Sequence, residues 1–153
     1  MRLRILSVGR DRSGLYQPAA EEYAGRIARY AKLELLELPE ARKHAGTPQA
    51  KEEEGEAILA KVGARERLVA LDERGREHSS PELARRLQAW LTGGRDVSLV
   101  LGGSDGLAPA VLARADERLS LSRLTLAHRL ARVVLLEQVY RAFTILRGER
   151  YHK

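Results

Sequence analysis

Residues 96–107, Asp-Val-Ser-Leu-Val-Leu-Gly-Gly-Ser-Asp-Gly-Leu, decide the fold. Val97 to Leu101 is a short apolar run that includes two β-branched residues, and it stops at Gly102. That is the pattern of a strand buried on both faces and followed by a tight glycine turn. Glycine lets a ligand come close to the main chain, so Gly102 and Gly103 form a candidate cradle. Pro109 suits the first turn of a helix that follows. Ligands of open α/β sheets sit at the carboxyl ends of strands, which makes this turn the first candidate for a binding site. From the glycines alone, a strand-to-helix turn without a ligand is an equal reading.

The same alternation repeats outward from this stretch. Toward the N-terminus, residues 80–91 read as a helix with Ser80 as N-cap and Pro81 at its first position, ending before Gly93 and Gly94. Residues 68–71 read as a strand ending at Asp72, with a turn over 73–75. Earlier still come a strand over 3–8, a polar turn over 9–14 and a helix over 17–31, in which Ala20, Tyr23, Ala24 and Ile27 recur at helical spacing. A strand over 33–38, a polar mobile loop over 40–48 and a helix over 49–62 capped by Thr47 complete the first half. Short connections between alternating strands and helices predict an α/β fold: a mostly parallel sheet with helices on both faces, in one domain over residues 1–153.

Toward the C-terminus, a helix over 108–115 is followed by RLSLSRLTL (118–126), which reads as a short strand and then an extended loop. Residues 128–146 form a long helix. Its apolar run at 133–136, continued by Val139, Ala142, Phe143, Ile145 and Leu146, covers more than one face, so the helix is buried on several sides. In a small domain this predicts a partner chain, most simply a symmetric homodimer. Gly148 ends the helix, and ERYHK forms a tail.

Composition narrows the class of function. The 153 residues carry a net charge of +6. Residues 120–153 hold seven cationic side chains against two acidic ones, most of the surplus. A basic end attracts a polyanion, usually RNA or DNA, although a solvated tail has the same composition. The chain has no cysteine, which excludes a disulfide framework and a thiolate metal site. No stretch is apolar enough for a membrane span or a signal peptide, so a cytoplasmic protein without membrane association is expected. The absence of asparagine and the many arginines fit adaptation to heat and a GC-rich genome equally.

Taken together, GGSDGL, the H-x-L-x-R-V segment from His128 to Val133, the EQ-x-YRA segment from Glu137 to Ala142 and the terminal Tyr151-His152-Lys153 resemble one family. It is that of the bacterial large-subunit ribosomal RNA methyltransferases that modify pseudouridine at ring N3, within the trefoil-knotted SPOUT superfamily. The resemblance covers essentially the whole chain. It implies S-adenosylmethionine as cofactor, bound in a C-terminal knot by Leu71, by Gly102 and Gly103, and by Leu121, Ser122, Arg123, Leu124, Thr125 and Leu126. It implies ribosomal RNA, within the large subunit or the ribosome, as the partner. Two departures stand out. Ser104 follows the second glycine where the family often has proline, and the tail Gly148-Glu149-Arg150-Tyr151-His152 lacks the proline of the family's G-x-P-Y-H.

Methyl transfer from a sulfonium is an in-line displacement that needs position and an electron-rich acceptor. The imide nitrogen of pseudouridine becomes a good nucleophile only on losing its proton, with help from a base or from cations that stabilise the anion. His152 is the candidate base, and an ordinary surface histidine is the competing reading. Arg132 and Arg141 are candidates for stabilising the anion or holding phosphates. His128, at the start of the long helix, is a candidate for RNA contact. Tyr140 and Tyr151 are candidates for stacking on bases, with core packing the alternative for Tyr140. Arg150 and Lys153 would hold phosphates. Glu137, four residues before Arg141, suits a structural ion pair. A doubly wound nucleotide enzyme lacks support, since neither G-x-x-x-x-G-K-[ST] nor G-x-G-x-x-G occurs. A non-enzymatic ribosome- or RNA-binding protein remains the second reading. It would leave the glycine turn and the apolar 121–126 segment without a purpose.

Overall fold

A computed structural model describes residues 1–153, the side chain of His44 excepted. Among the described residues, strands β1 (Leu3–Val8), β2 (Leu33–Leu38), β3 (Arg67–Glu77), β4 (Val97–Leu101) and β5 (Glu117–Ser120) alternate with helices. The helices are α1 (Gln17–Ile27), α2 (Pro48–Lys61), α3 (Ser80–Thr92), α4 (Pro109–Arg114) and α5 (His128–Leu146). The sheet runs β2-β1-β4-β3-β5, and each of these pairings is parallel.

Side-chain alternation explains the two layers. All six residues of β1 and all five of β4 are buried, as expected for strands covered on both faces. Ile5, Val69 and Leu99 point to one face and pack with Ile27 of α1, Leu87 of α3 and Leu135 and Leu136 of α5. Leu6, Leu68 and Val100 point to the other and meet Ile58 of α2 and Val111 of α4. The expected α/β architecture therefore stands. Helix α5 packs against both α1 and α3, and its bounds coincide with those expected from the sequence.

Three expectations need correction. Helix α1 ends at Ile27, not at 31, because the next residues turn tightly, with Tyr30 N–H donating to Ile27 C=O at 2.8 Å. That turn lays Tyr30 flat against Phe143 of α5, ring centroids 5.2 Å apart. Strand β3 does not stop at Asp72 in a turn over 73–75; it continues to Glu77 through a register shift between Leu71 and Arg76, both of which pair with Leu119. The polar residues of its far half face solvent, which is why they read as a turn. The N-cap of α3 is Ser79, whose side chain accepts from Glu82 N–H, while Glu82 returns a bond to Ser79 N–H. Ser80 Oγ donates instead to Gln138 of α5 at 2.7 Å. In the expected polar loop, Arg42–His44 form a 3₁₀ turn, and Thr47 caps α2 as expected.

At the amino end of the sheet, Arg4 lies buried in β1 and bonds Glu66 at 2.9 Å. Ser98 of β4 and Gly63 N–H also donate to Glu66. Burial by itself pushes the Glu66 carboxyl up. The bonds from Ser98, Gly63 and Arg4 outweigh it and hold the group below the usual carboxylate range. With that end closed by a structural ion pair, the carboxyl edge is left for a ligand.

Candidate active site

A cavity of about 450 Å³ opens at the carboxyl ends of β3 and β4, within the size range of small-molecule sites. Three pieces of chain make it. The first is the end of the regular part of β3, Leu71 to Arg74. The second is the turn from Gly102 to Leu107. The third is the segment between β5 and α5, with Leu121, Ser122, Leu124, Thr125, Leu126 and His128.

The glycine turn is built by close approach. Gly106 N–H donates to Gly103 C=O at 3.0 Å, and a Cβ at Gly102 would lie 2.5 Å from the Gly106 carbonyl group. Gly106 takes φ +80°, a conformation that side chains rarely tolerate. Behind the turn, Glu54 of α2 accepts from Ala41 N–H at 3.4 Å. Burial, helped by the charges of Glu40 and Asp105 and opposed by that bond, holds the Glu54 carboxyl above its ordinary range.

The 121–126 segment is tied to β3. Thr125 donates to Glu73 Oε2 at 2.7 Å, and Ser120 Oγ lies 3.1 Å from Glu73 C=O. Leu124 N–H donates to Ser122 Oγ at 2.9 Å. Glu73 thus anchors two walls of the cavity, a role hidden in the sequence by its apparent place in a turn. Asp72, Asp105 and Glu73 make part of the rim acidic, with Lys51, Arg74 and Arg118 also on the lining. Apolar walls, main-chain groups at the glycine turn and side chains of both charges fit a ligand with a flat apolar part and charged groups of both signs.

The structure gathers most of the expected cofactor residues. Leu71, Gly102, Gly103, Leu121, Ser122, Leu124, Thr125 and Leu126 all line the cavity. Arg123 does not; its side chain is 87% exposed and pairs with Glu77 at 3.6 Å. His128 lines it as well, with Nε2 3.5 Å from Glu40 Oε1. Burial first, and then the charge of Arg129, lower the His128 pKa, with Glu40 opposing.

The expected RNA and catalytic residues are placed differently. Arg132 is buried, its guanidinium 3.2 Å from Glu37 and 3.3 Å from Gln17, so it is not presented to a phosphate. Tyr140 sits in an aromatic group with Tyr23, Tyr30 and Tyr151. Arg141 bonds Glu137 at 2.6 Å, the ion pair expected from their spacing. The tail folds back along α5. Tyr151 meets Tyr140 edge-on at 4.6 Å, lies under the Arg141 guanidinium and donates to Glu137 at 3.0 Å. Burial, with the bond to Glu137, pushes the Tyr151 phenol up to about 12. His152 Nδ1 is 3.2 Å from Arg141, and Arg150, His152 and Lys153 are exposed. None of the tail residues lines the cavity. Glu137 is nine residues along α5 from His128, roughly 14 Å at helical rise. One chain therefore does not bring its own tail to its own cavity.

Comparison with known proteins gives a consistent pattern. Residues 1–152 match a family model described as "Predicted SPOUT methyltransferase". The chain is 69% identical, over its full length and that of the relative, to the "Ribosomal RNA large subunit methyltransferase H" of an Anaeromyxobacter species. It is 46% identical to the protein of that name from Alkalilimnicola ehrlichii, covering 100% of this chain and 99% of the relative. Among solved structures, a probable methylase family protein from Haemophilus influenzae shares the fold. Its TM-score is 0.57 at 16% identity, covering 99% of this chain and 70% of that one.

Proposed function

The chain belongs to the SPOUT methyltransferase family, and on that premise we propose that it methylates ribosomal RNA of the large subunit, at ring N3 of a pseudouridine, with S-adenosylmethionine as donor. The observation that carries this reading is the cavity at the glycine turn, walled by 71–74, 102–107 and 121–128. Within those segments lie Leu71, Gly102 and Gly103, and Leu121 to Leu126, where the family resemblance places the cofactor in a trefoil knot.

When bound, S-adenosylmethionine supplies an electrophilic methyl group on a sulfonium. Leu121, Leu124 and Leu126 provide apolar surface for an adenine, and the main chain of Gly102 to Leu107 provides hydrogen-bonding groups at close range. Asp72 and Asp105 are carboxylates for the positive groups of that ligand, and Lys51, Arg74 and Arg118 on the same lining suit its carboxylate. The work of the remaining residues is to hold RNA and manage one proton. Exposed Arg10 and Arg12 follow β1, and exposed Arg42 and Lys43 follow β2, on the same carboxyl edge as the cavity. They suit the phosphate backbone. Tyr151 and His152 suit the target base, with His152 bonding the uracil edge or accepting the imide proton.

Because the tail lies away from the cavity of its own chain, the reading includes a homodimer in which one chain's Arg150 to Lys153 completes the other's site. Partly exposed Val133, Val134 and Ile145 on α5 support an interface there. The reading also places the protein in the cytoplasm, where ribosomes are; no helix is long and apolar enough to cross a membrane among the described residues. The test is titration calorimetry with S-adenosylmethionine, then transfer of a labelled methyl group to ribosomes lacking the modification. One cofactor per chain and label at a single pseudouridine are expected. Absence of cofactor binding by folded protein overturns the reading.

A further inference from the structure

Three buried, unpaired polar atoms belong to residues that line one small pocket. Ser7 Oγ, His128 Nε2 and Arg132 Nε are shut off from solvent and make no hydrogen bond within the protein. Ser7, His128 and Arg132 all line a narrow pocket beyond the carboxyl end of β1, together with Asp11 and Arg129. Its free volume is about 10 Å³, room for one water-sized molecule and nothing larger. Ser7 is 5% exposed and Arg132 8%. The far side of the Arg132 guanidinium is fixed by Glu37 and Gln17, so the direction of its Nε–H is set by bonds already made. Native interiors seldom leave buried donors and acceptors unpaired, and bound water is the usual partner where the site is polar and small.

We propose that this pocket binds one water molecule, which accepts from Arg132 Nε–H and His128 Nε2–H and donates to Ser7 Oγ, and that this water and Glu40 together hold His128 in its Nε2–H tautomer. Glu40 Oε1 lies 3.5 Å from Nε2, and a carboxylate favours the proton on the nearer nitrogen. The charged groups around the ring are Glu40, Arg129, Arg132 and Asp11, two of each sign. Burial and Arg129 favour the neutral imidazole. The lone pair is then on Nδ1, in a ring that also lines the large cavity. The ring therefore carries an acceptor and not a donor at Nδ1, and neither the water nor the tautomer depends on the methyltransferase reading.

The test is a crystal structure of the full chain at a resolution that orders buried waters, with a bromide soak, alongside ¹⁵N NMR of the histidine rings. Expected are one peak within hydrogen-bond distance of all three atoms, no bromide at that position, and ¹⁵N shifts of a protonated Nε2 and an unprotonated Nδ1. A dry pocket, a bromide peak or a dominant Nδ1–H tautomer overturns the proposal. Ser7→Val fills the pocket with methyl groups and is expected to expel the water and populate the Nδ1–H form. If that variant does not fold, Ser7→Ala is read for a smaller shift of the same sign. An unchanged tautomer in the folded variant removes the water's part in it.

Discussion

Replacing Gly102 by alanine tests whether the glycine turn is the ligand cradle. A Cβ at this position would stand 2.5 Å from the carbonyl carbon and oxygen of Gly106 and 3.0 Å from Leu107 N. That is about 0.9 Å inside an ordinary contact of 3.4 Å. The obstacle is main chain, so no rotamer change relieves it, and the 102–107 turn must move by a similar distance. Overpacking of this kind costs about 1–3 kcal/mol of stability. A displacement near 1 Å in a binding constellation weakens function by up to about 100-fold. The expected result is a folded protein with a lower melting temperature and S-adenosylmethionine affinity reduced about 10- to 100-fold in calorimetry. Gly103→Ala is the control. Its Cβ would meet Val8 at 3.4 Å and the Glu54 carboxylate at 3.5 Å, contacts that need no backbone movement. It should keep the fold and most of the affinity. A Gly102→Ala protein that binds as tightly as the parent would refute the assignment of the cradle to this turn.

Further outcomes follow from other parts of the structure. Arg4→Leu leaves the Glu66 carboxylate buried without its ion-pair partner and should cost roughly 3–5 kcal/mol in denaturant unfolding; a loss under about 1 kcal/mol would show that the pair is effectively solvated. The folded Glu66 carboxyl titrates below its unfolded counterpart, so its contribution is complete above the ordinary carboxylate range and disappears as pH falls through the lower folded pKa. Glu66→Gln should accordingly flatten the acid side of the melting-temperature profile, and identical profiles would contradict the shift. Deleting residues 151–153 removes the Tyr151 edge contact with Tyr140 and its bond to Glu137, for a loss of roughly 1–3 kcal/mol. Cofactor affinity should survive that deletion while methyl transfer to ribosomes falls away; full transfer by the shortened chain would exclude the tail from the site. Sedimentation at micromolar concentration should give a dimer, and a monomer there would remove the α5 interface.

Much of this molecule is legible before folding because local pattern and burial agree. The apolar runs at β1 and β4 need cover on both faces, and only helices between parallel strands supply it. The glycine turn is equally plain, since an apolar run that stops at two glycines reads as a buried strand and a tight turn; the 2.5 Å approach of the Gly106 carbonyl group to a Cβ at Gly102 appears only in the fold. The segments gathered at the cavity were named by family resemblance, and packing then separated their members, keeping Leu121 and Leu124 on the lining and turning Arg123 out toward Glu77. Long-range geometry decided the rest. The far half of β3 is polar because it faces solvent, and its role as the anchor for 121–126 appears only once Glu73 meets Ser120 and Thr125, about fifty residues away. Arg132 and Arg141 have the same charge in the same helix. The sequence reads both as candidates for the RNA site, whereas the fold buries Arg132 against Glu37 of a strand 95 residues earlier and leaves Arg141 beside the tail. Charge and spacing are local properties of a chain, but which carboxylate a guanidinium meets depends on how distant strands and helices are brought together.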